Sequence, residues 1–117
     1  MKKISSKRAL ALQPTKDAKD AAWERDRGRC VWCEHTGIRT GFPGLPEAHF
    51  IPRSKSGLGI EQNILTLCRP CHDRFDNGKK EYRDYMRKYF RSYLKAHYPG
   101  WDEKKLVYRR FDNDPNE

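Results

Sequence analysis

Long apolar runs are missing from this chain. No stretch of its 117 residues approaches the roughly 20 apolar residues of a membrane-spanning helix, which excludes a helical membrane protein. The opening MKKISSKRALALQP starts basic, but its apolar run ALAL is too short for a secretory signal. The expected setting is therefore the cytoplasm, where cysteines stay reduced. Repeats and low-complexity tracts are also absent, which excludes solenoids, as is any repeated base-reading unit. Apolar residues are scarce at 36%, charged ones make up 35%, and the mean hydropathy is -1.07. A single domain of this size buries only about two thirds of its unfolded surface. The core is thin, and a structural metal is the expected supplement. Acidic residues are in deficit as well: 25 Lys and Arg stand against 16 Asp and Glu, giving +9 and a pI near 9.6. That balance favours a polyanion, with nucleic acid as the default partner and no membrane.

What is present begins with four cysteines in two pairs, Cys30-x2-Cys33 and Cys68-x2-Cys71. In a reducing compartment such pairs read as a tetrahedral four-cysteine zinc site, with thiolates at roughly 2.3 Å from the metal. The 34 residues between the pairs exceed a simple finger spacing of roughly 15 to 20. The zinc is thus expected to tie together the ends of a larger inserted unit. His35, two positions after Cys33, reads as a surface residue because four thiolates already complete a zinc shell.

Along the chain, residues 1–14 form a basic N-terminal arm ending at Pro14. Thr15 is placed to cap a helix over 16–27, whose narrow apolar side is Ala18, Ala21, Ala22 and Trp23, with Gly28 as its stop. The Gly- and Pro-rich 35–47 segment reads as a loop. EAHFI (47–51) and ILTLC (64–68) read as two strands of a hairpin with a long connection, and Gly57 and Gly59 serve that connection's turn. A short helix over 72–77 follows, broken by Gly78. Residues 79–98 carry Tyr82, Tyr85, Met86, Tyr89, Phe90, Tyr93 and Leu94 at steps of three and four, an amphipathic helix with an expected apolar core face. Its other side presents Lys80, Arg83, Arg87, Lys88, Arg91 and Lys95, a surface suited to phosphates. KLVYRRF is expected to add a short strand or an extended packing segment, and residues 112–117 an acidic tail.

The string C-x2-C … AHFIPRS … G-x-G-x3-N-I-L-T-L-C-x2-C-H, over about residues 20–77, resembles the HNH, or ββα-metal, nuclease family in its zinc-bearing form. The chain is also similar to small stand-alone HNH proteins of phages and prophages. The resemblance implies an α+β fold: a ββα core over about 47–77 within a single domain of residues 15–111, flanked by an N-terminal helix and the long basic helix. It implies a metal-dependent endonuclease hydrolysing DNA in a bacterial or phage-infected cell, with phage packaging proteins as possible partners. Carried over by position, His49 matches the family's general base, Asn63 the asparagine that bridges the strand connection, and His72 the final metal-binding histidine. A neutral imidazole can take a proton from the attacking water, and a divalent cation such as Mg2+, Mn2+, Ni2+ or Zn2+ can stabilise the leaving oxygen. Asp76 follows His72 by one helical turn, so the two share a face and are the expected holders of that second cation. Arg53 and Lys55, just past the base strand, and Arg83, Arg87 and Arg91 are the expected phosphate contacts.

One position departs from the pattern. The family commonly places a metal-binding Asp or His directly before the base histidine, and here that residue is Ala48. Three readings follow: Glu47 substitutes, His49 itself binds metal, or the chain is a non-catalytic zinc module that binds nucleic acid without cutting it.

Overall fold

Two hydroxyl caps set the first helices. In the computed structural model, which describes residues 6–109, the Ser6 and Thr15 side chains accept from the backbone N–H groups of Ala9 and Ala18, each at 3.0 Å. They open α1 (Lys7–Leu12) and α2 (Lys16–Arg25). Helix α1 lies within the basic arm, whereas residues 1–5 and the acidic tail at 112–117 lie outside the described residues. Helix α2 ends where Arg27 and Gly28 turn left-handed, with φ of 58° and 65°. A Cβ at Gly28 would also come within 2.6 Å of the half-exposed Trp23 ring, which would have to shift, so the left-handed φ is what favours glycine there. Trp23 itself lies outside the core, half exposed over this turn; the buried side of α2 is Ala18 and Ala22.

The remaining elements are α3 (Val31–Thr36), β1 (Leu45–His49), β2 (Ile64–Leu67), α4 (Arg69–Asn77) and α5 (Lys80–His97), with three short 3-10 turns at Arg53–Lys55, Glu61–Asn63 and Glu103–Leu106. The strands pair antiparallel, His49 opposite Ile64 and Leu45 opposite Leu67. This is an α+β ββα-metal core, a hairpin beside a buried four-cysteine cluster, with helices on either side. Several boundaries differ from the sequence expectation, α2 ending at Arg25 and β1 at His49, each two residues early. His35 and Thr36 belong to α3, not to the loop. Strand β1 starts at Leu45 and not Glu47, since a two-stranded ribbon accommodates Pro46 without a ladder hydrogen bond. Helix α4 starts at Arg69, because Cys68 takes the N-cap position and Pro70 sits comfortably in the first turn.

Ala48, Phe50, Leu65 and Leu67 of the hairpin pack with Phe75 of α4, with Met86, Phe90 and Leu94 of α5, and with Leu106. The aromatic stripe of α5 is only partly core: Tyr82, Tyr89 and Tyr93 are half-buried, and Tyr85 is 61% exposed, contrary to the sequence expectation. Past α5, Glu103–Leu106 curls into a 3-10 turn and Val107 bridges Gly57, so the described part of the KLVYRRF segment, residues 105–109, packs without forming a strand of its own, and its last two residues lie outside the described ones.

A buried ion pair joins these layers. Asp26, 6% exposed, accepts from the Arg25 guanidinium at 2.7 and 2.8 Å, from the Thr66 backbone N–H at 3.0 Å and from the Tyr93 hydroxyl at 2.6 Å. Arg25 also donates to the carbonyls of Ile64 and Glu61. Removing one member strands the other charge away from water. Asp26→Ala is therefore expected to lower stability by about 3–5 kcal/mol, measured by urea unfolding with zinc content unchanged. A loss below about 1 kcal/mol, the level of a surface pair, would contradict this.

Candidate functional site

Each cysteine pair spans the first turn of a helix. Cys30 is the N-cap of α3 with Cys33 one turn on, and Cys68 is the N-cap of α4 with Cys71 one turn on. All four are buried and free of disulfides, and their sulfurs lie within 4.8 Å of one another. Cys33 Sγ is 3.8 Å from both Cys68 Sγ and Cys71 Sγ. A tetrahedron with zinc–sulfur distances of roughly 2.3 Å has edges of roughly 3.8 Å, so the cluster fits a tetrahedral zinc-type ion. The protons tell the same story. The hydrogen bond to Cys30, followed by burial, pushes the Cys71 thiol far up. Burial pushes Cys33 up to about 11, while Cys30, accepting from Cys71, falls to about 5. Four crowded sulfurs cannot all ionise without a cation. Arg39 adds positive charge, its guanidinium 3.6 Å from Cys68 Sγ. His35 takes no part: it is exposed and stacks on Tyr89 with ring centroids 3.6 Å apart.

The cluster contains no histidine or carboxylate. Those lie elsewhere, in a cleft of about 1040 Å³ that His49, His72 and Asp76 all line. His72 and Asp76 occupy one face of α4, with Nε2 to Oδ2 at 3.1 Å. Their face looks toward His49, opposite in role to the cysteines that begin the same helix. His49 is 8% exposed, and its Nε2 meets the Leu12 carbonyl oxygen at 2.8 Å. Burial holds the His49 imidazole below its ordinary value of 6.5; the Leu12 carbonyl opposes this and Arg53 adds to it.

Asn63 is fully buried and closes the hairpin from inside. Its Oδ1 accepts from Ile51 N–H at 2.8 Å, and its Nδ2 donates to the carbonyls of Ile51 at 3.2 Å and Leu58 at 2.8 Å. The backbone ladder ends one residue earlier, with Phe50 N–H donating to the Asn63 carbonyl. The side chain thus continues the sheet where the two strands part, and it steadies the strand that carries His49. Gly57 lies against this join. A Cβ there would fall 1.7 Å from the Ile51 carbonyl oxygen, so close approach, not turn formation, dictates the glycine.

Position 48 points the wrong way for a ligand. Ala48 is fully buried in the apolar core, so an acid there would not reach the cleft. Strand β1 carries a bulge between Pro46 and Ala48, and the extra residue, Glu47, is exposed and lines the cleft with His49.

The expected phosphate contacts divide. Arg53 and Lys55 are exposed on the cleft rim. Arg83 and Arg87 line the cleft from α5 but have structural partners: Arg83 Nε donates to the Gly78 carbonyl at 2.9 Å, and Arg87 donates to the Phe50 carbonyl while its guanidinium lies over the Phe75 ring at 4.7 Å. Arg91 pairs with Glu103 at 2.8 Å and does not line the cleft. Sequence reasoning missed Lys19 of α2 and the carboxylates Asp84 and Glu103 on the cleft wall. It also missed the Leu12 carbonyl, a main-chain atom that no residue pattern announces. No helix of the described residues is long and apolar enough to cross a membrane. No family model, curated protein or solved structure gives a significant match to this chain.

Proposed function

We propose that this chain is a zinc-stabilised module that binds nucleic acid, taking backbone phosphates into the cleft faced by His49 and His72. The observation that carries this reading is the convergence of Lys19, Arg53 and Lys55 on that one cleft, with Lys80, paired to Asp84, and the backbone-bonded Arg83 and Arg87 beside them, in a chain of net charge +9. Binding through phosphates is independent of sequence and releases counterions. Reversing Arg53 and Lys55 together to Glu is expected to weaken binding to unrelated duplexes alike. It should also reduce the log–log salt slope by roughly 0.9 for each phosphate no longer neutralised. Both side chains are exposed, so the fold is spared. An unchanged slope would place the nucleic acid on another surface.

A second reading, metal-dependent hydrolysis of a phosphodiester in the same cleft, is favoured by the carboxylates there. Glu47 and Asp76 would only repel a polyanion in a purely binding groove, yet both face it beside His72. An imidazole nitrogen and carboxylate oxygens, with bound water and phosphate, form a donor set that suits a small divalent cation. His72 and Asp76 would hold that ion, Glu47 standing in for the ligand that Ala48 cannot supply. When bound, it would neutralise charge on the non-bridging and leaving oxygens. His49 would accept the proton of the attacking water. Since Nε2 is occupied by the Leu12 carbonyl, Nδ1 is the atom left for that task. The basic side chains would hold the phosphates on either side in line with it.

A further inference from the structure

The N-terminal arm reaches the centre of this cleft. Helix α1 is fastened to the connection between the strands by several bonds. Gly59 N–H donates to the Ala11 carbonyl at 2.9 Å, and the Arg8 guanidinium donates to Ser56 Oγ at 3.1 and 3.2 Å and to the Arg53 carbonyl at 3.4 Å. Leu12 is 3% exposed. Gly59 is the seat of this contact. Its φ is not positive, and a Cβ there would fall 2.3 Å from the Gln13 carbonyl carbon and 2.5 Å from Pro14 N. Only glycine lets the two backbones touch, so the position is committed to holding the arm and not to making a turn.

The consequence falls on His49. A carbonyl oxygen only accepts, so the 2.8 Å contact from Leu12 requires the proton on Nε2 whenever the imidazole is neutral. Every buried side-chain nitrogen or oxygen among the described residues has a partner. His49 Nδ1 has none, so it touches solvent, and the residue lines the cleft. We propose that α1 is a working part of the cleft: through its main-chain carbonyl, Leu12 is a positioning residue that fixes His49 as the Nε2–H tautomer and turns the Nδ1 lone pair toward the substrate. The arm thereby determines which atom of His49 meets the attacking water or the phosphate. This rests on the hydrolysis reading for its effect on rate, but the tautomer itself does not.

Two measurements on the full-length, zinc-loaded protein test it. Long-range 1H–15N correlation of the His49 ring, at a pH where it is neutral, is expected to show a protonated Nε2 and an unprotonated Nδ1. In Gly59→Ala the added methyl displaces Gln13 and Pro14, and the same spectrum is expected to average toward a tautomer mixture, with zinc content unchanged. Cleavage should fall on the order of 10- to 100-fold, as when other partners that orient a working imidazole are removed. If Gly59→Ala does not fold, Arg8→Ala, which cuts the exposed ties to Ser56 and Arg53, is expected to move the tautomer ratio in the same direction. A wild-type His49 carrying its proton on Nδ1, or already a mixture, overturns the proposal. So does a variant with a mixed tautomer and an undiminished rate. A wild type that cuts nothing defeats the hydrolysis reading alone, and the wild-type spectrum then decides the tautomer.

Discussion

Cys68→Ser protein is expected to purify without zinc and to lose its cooperative thermal transition in the same step. Cys68 supplies one of four sulfurs that must close on a single ion, and it stands at the start of α4, so loss of the ion unties the helix that carries His72 and Asp76 from α3. Structural zinc in small domains contributes on the order of 10–16 kcal/mol of apparent binding free energy at neutral pH, as large as the roughly 5–15 kcal/mol by which whole domains are stable. In a chain only 36% apolar, the fold is not expected to survive that loss. Elemental analysis and calorimetry on one preparation check it. Well-folded wild-type protein with no bound metal would sink the assignment.

His49→Ala should separate chemistry from architecture. The side chain lies apart from the four cysteines, so zinc content and affinity for nucleic acid are expected to stay near wild type, while the melting temperature falls only by the loss of its buried contact with the Leu12 carbonyl. Cleavage in the presence of a divalent cation is expected to fall by about 10²- to 10⁴-fold, the usual contribution of a positioned general base. Activity returning to the variant as pH rises would mark a lost base, because hydroxide replaces a base and not a ligand. The wild type carries its own signature. Burial depresses the His49 pKa below 6.5, so the neutral form persists further into acid, and the acid limb of cleavage is expected below that value. The same shift weakens the fold as pH falls through this range, since the unfolded chain takes up the proton first. His72→Ala should lower affinity for the second divalent ion, and the double variant should be little worse than either single one. Undiminished cleavage by purified His49→Ala protein would reject this role. No cleavage by the wild type with magnesium, manganese, nickel or zinc would leave the binding module as the whole function.

Local chemistry was readable in the chain; long-range contact was not. The cysteine spacing, the Thr15 cap and the step of three and four along α5 are short-range patterns, and each led to the observed element. The shared face of His72 and Asp76 followed from helical geometry alone. Periodicity finds a stripe but not how far a neighbour covers it, which is why Tyr85 was expected inside and lies outside. Nothing local marks the Arg25–Asp26 pair, because its partners Ile64, Thr66 and Tyr93 lie 39, 40 and 67 residues away. Ala48 reads as a missing ligand on the resemblance alone, which says nothing of where position 48 points. The bulge at Glu47 and the burial of position 48 alter what that alanine means. Gly59 read as a turn residue, because nothing in the sequence placed residues 13 and 14 against it.

The most direct test of the central claim, that the basic cleft is where nucleic acid lies, is titration of isotope-labelled, zinc-loaded protein with a short DNA duplex while backbone and imidazole resonances are followed. The account predicts that the largest shifts fall on His49, Arg53, Lys55, His72 and Lys80, that they weaken together as salt is raised, and that the exposed apolar residues Ile38 and Tyr85 stay unmoved. Shifts gathered around Ile38 and Tyr85 with the cleft silent, or none at low salt, would contradict it.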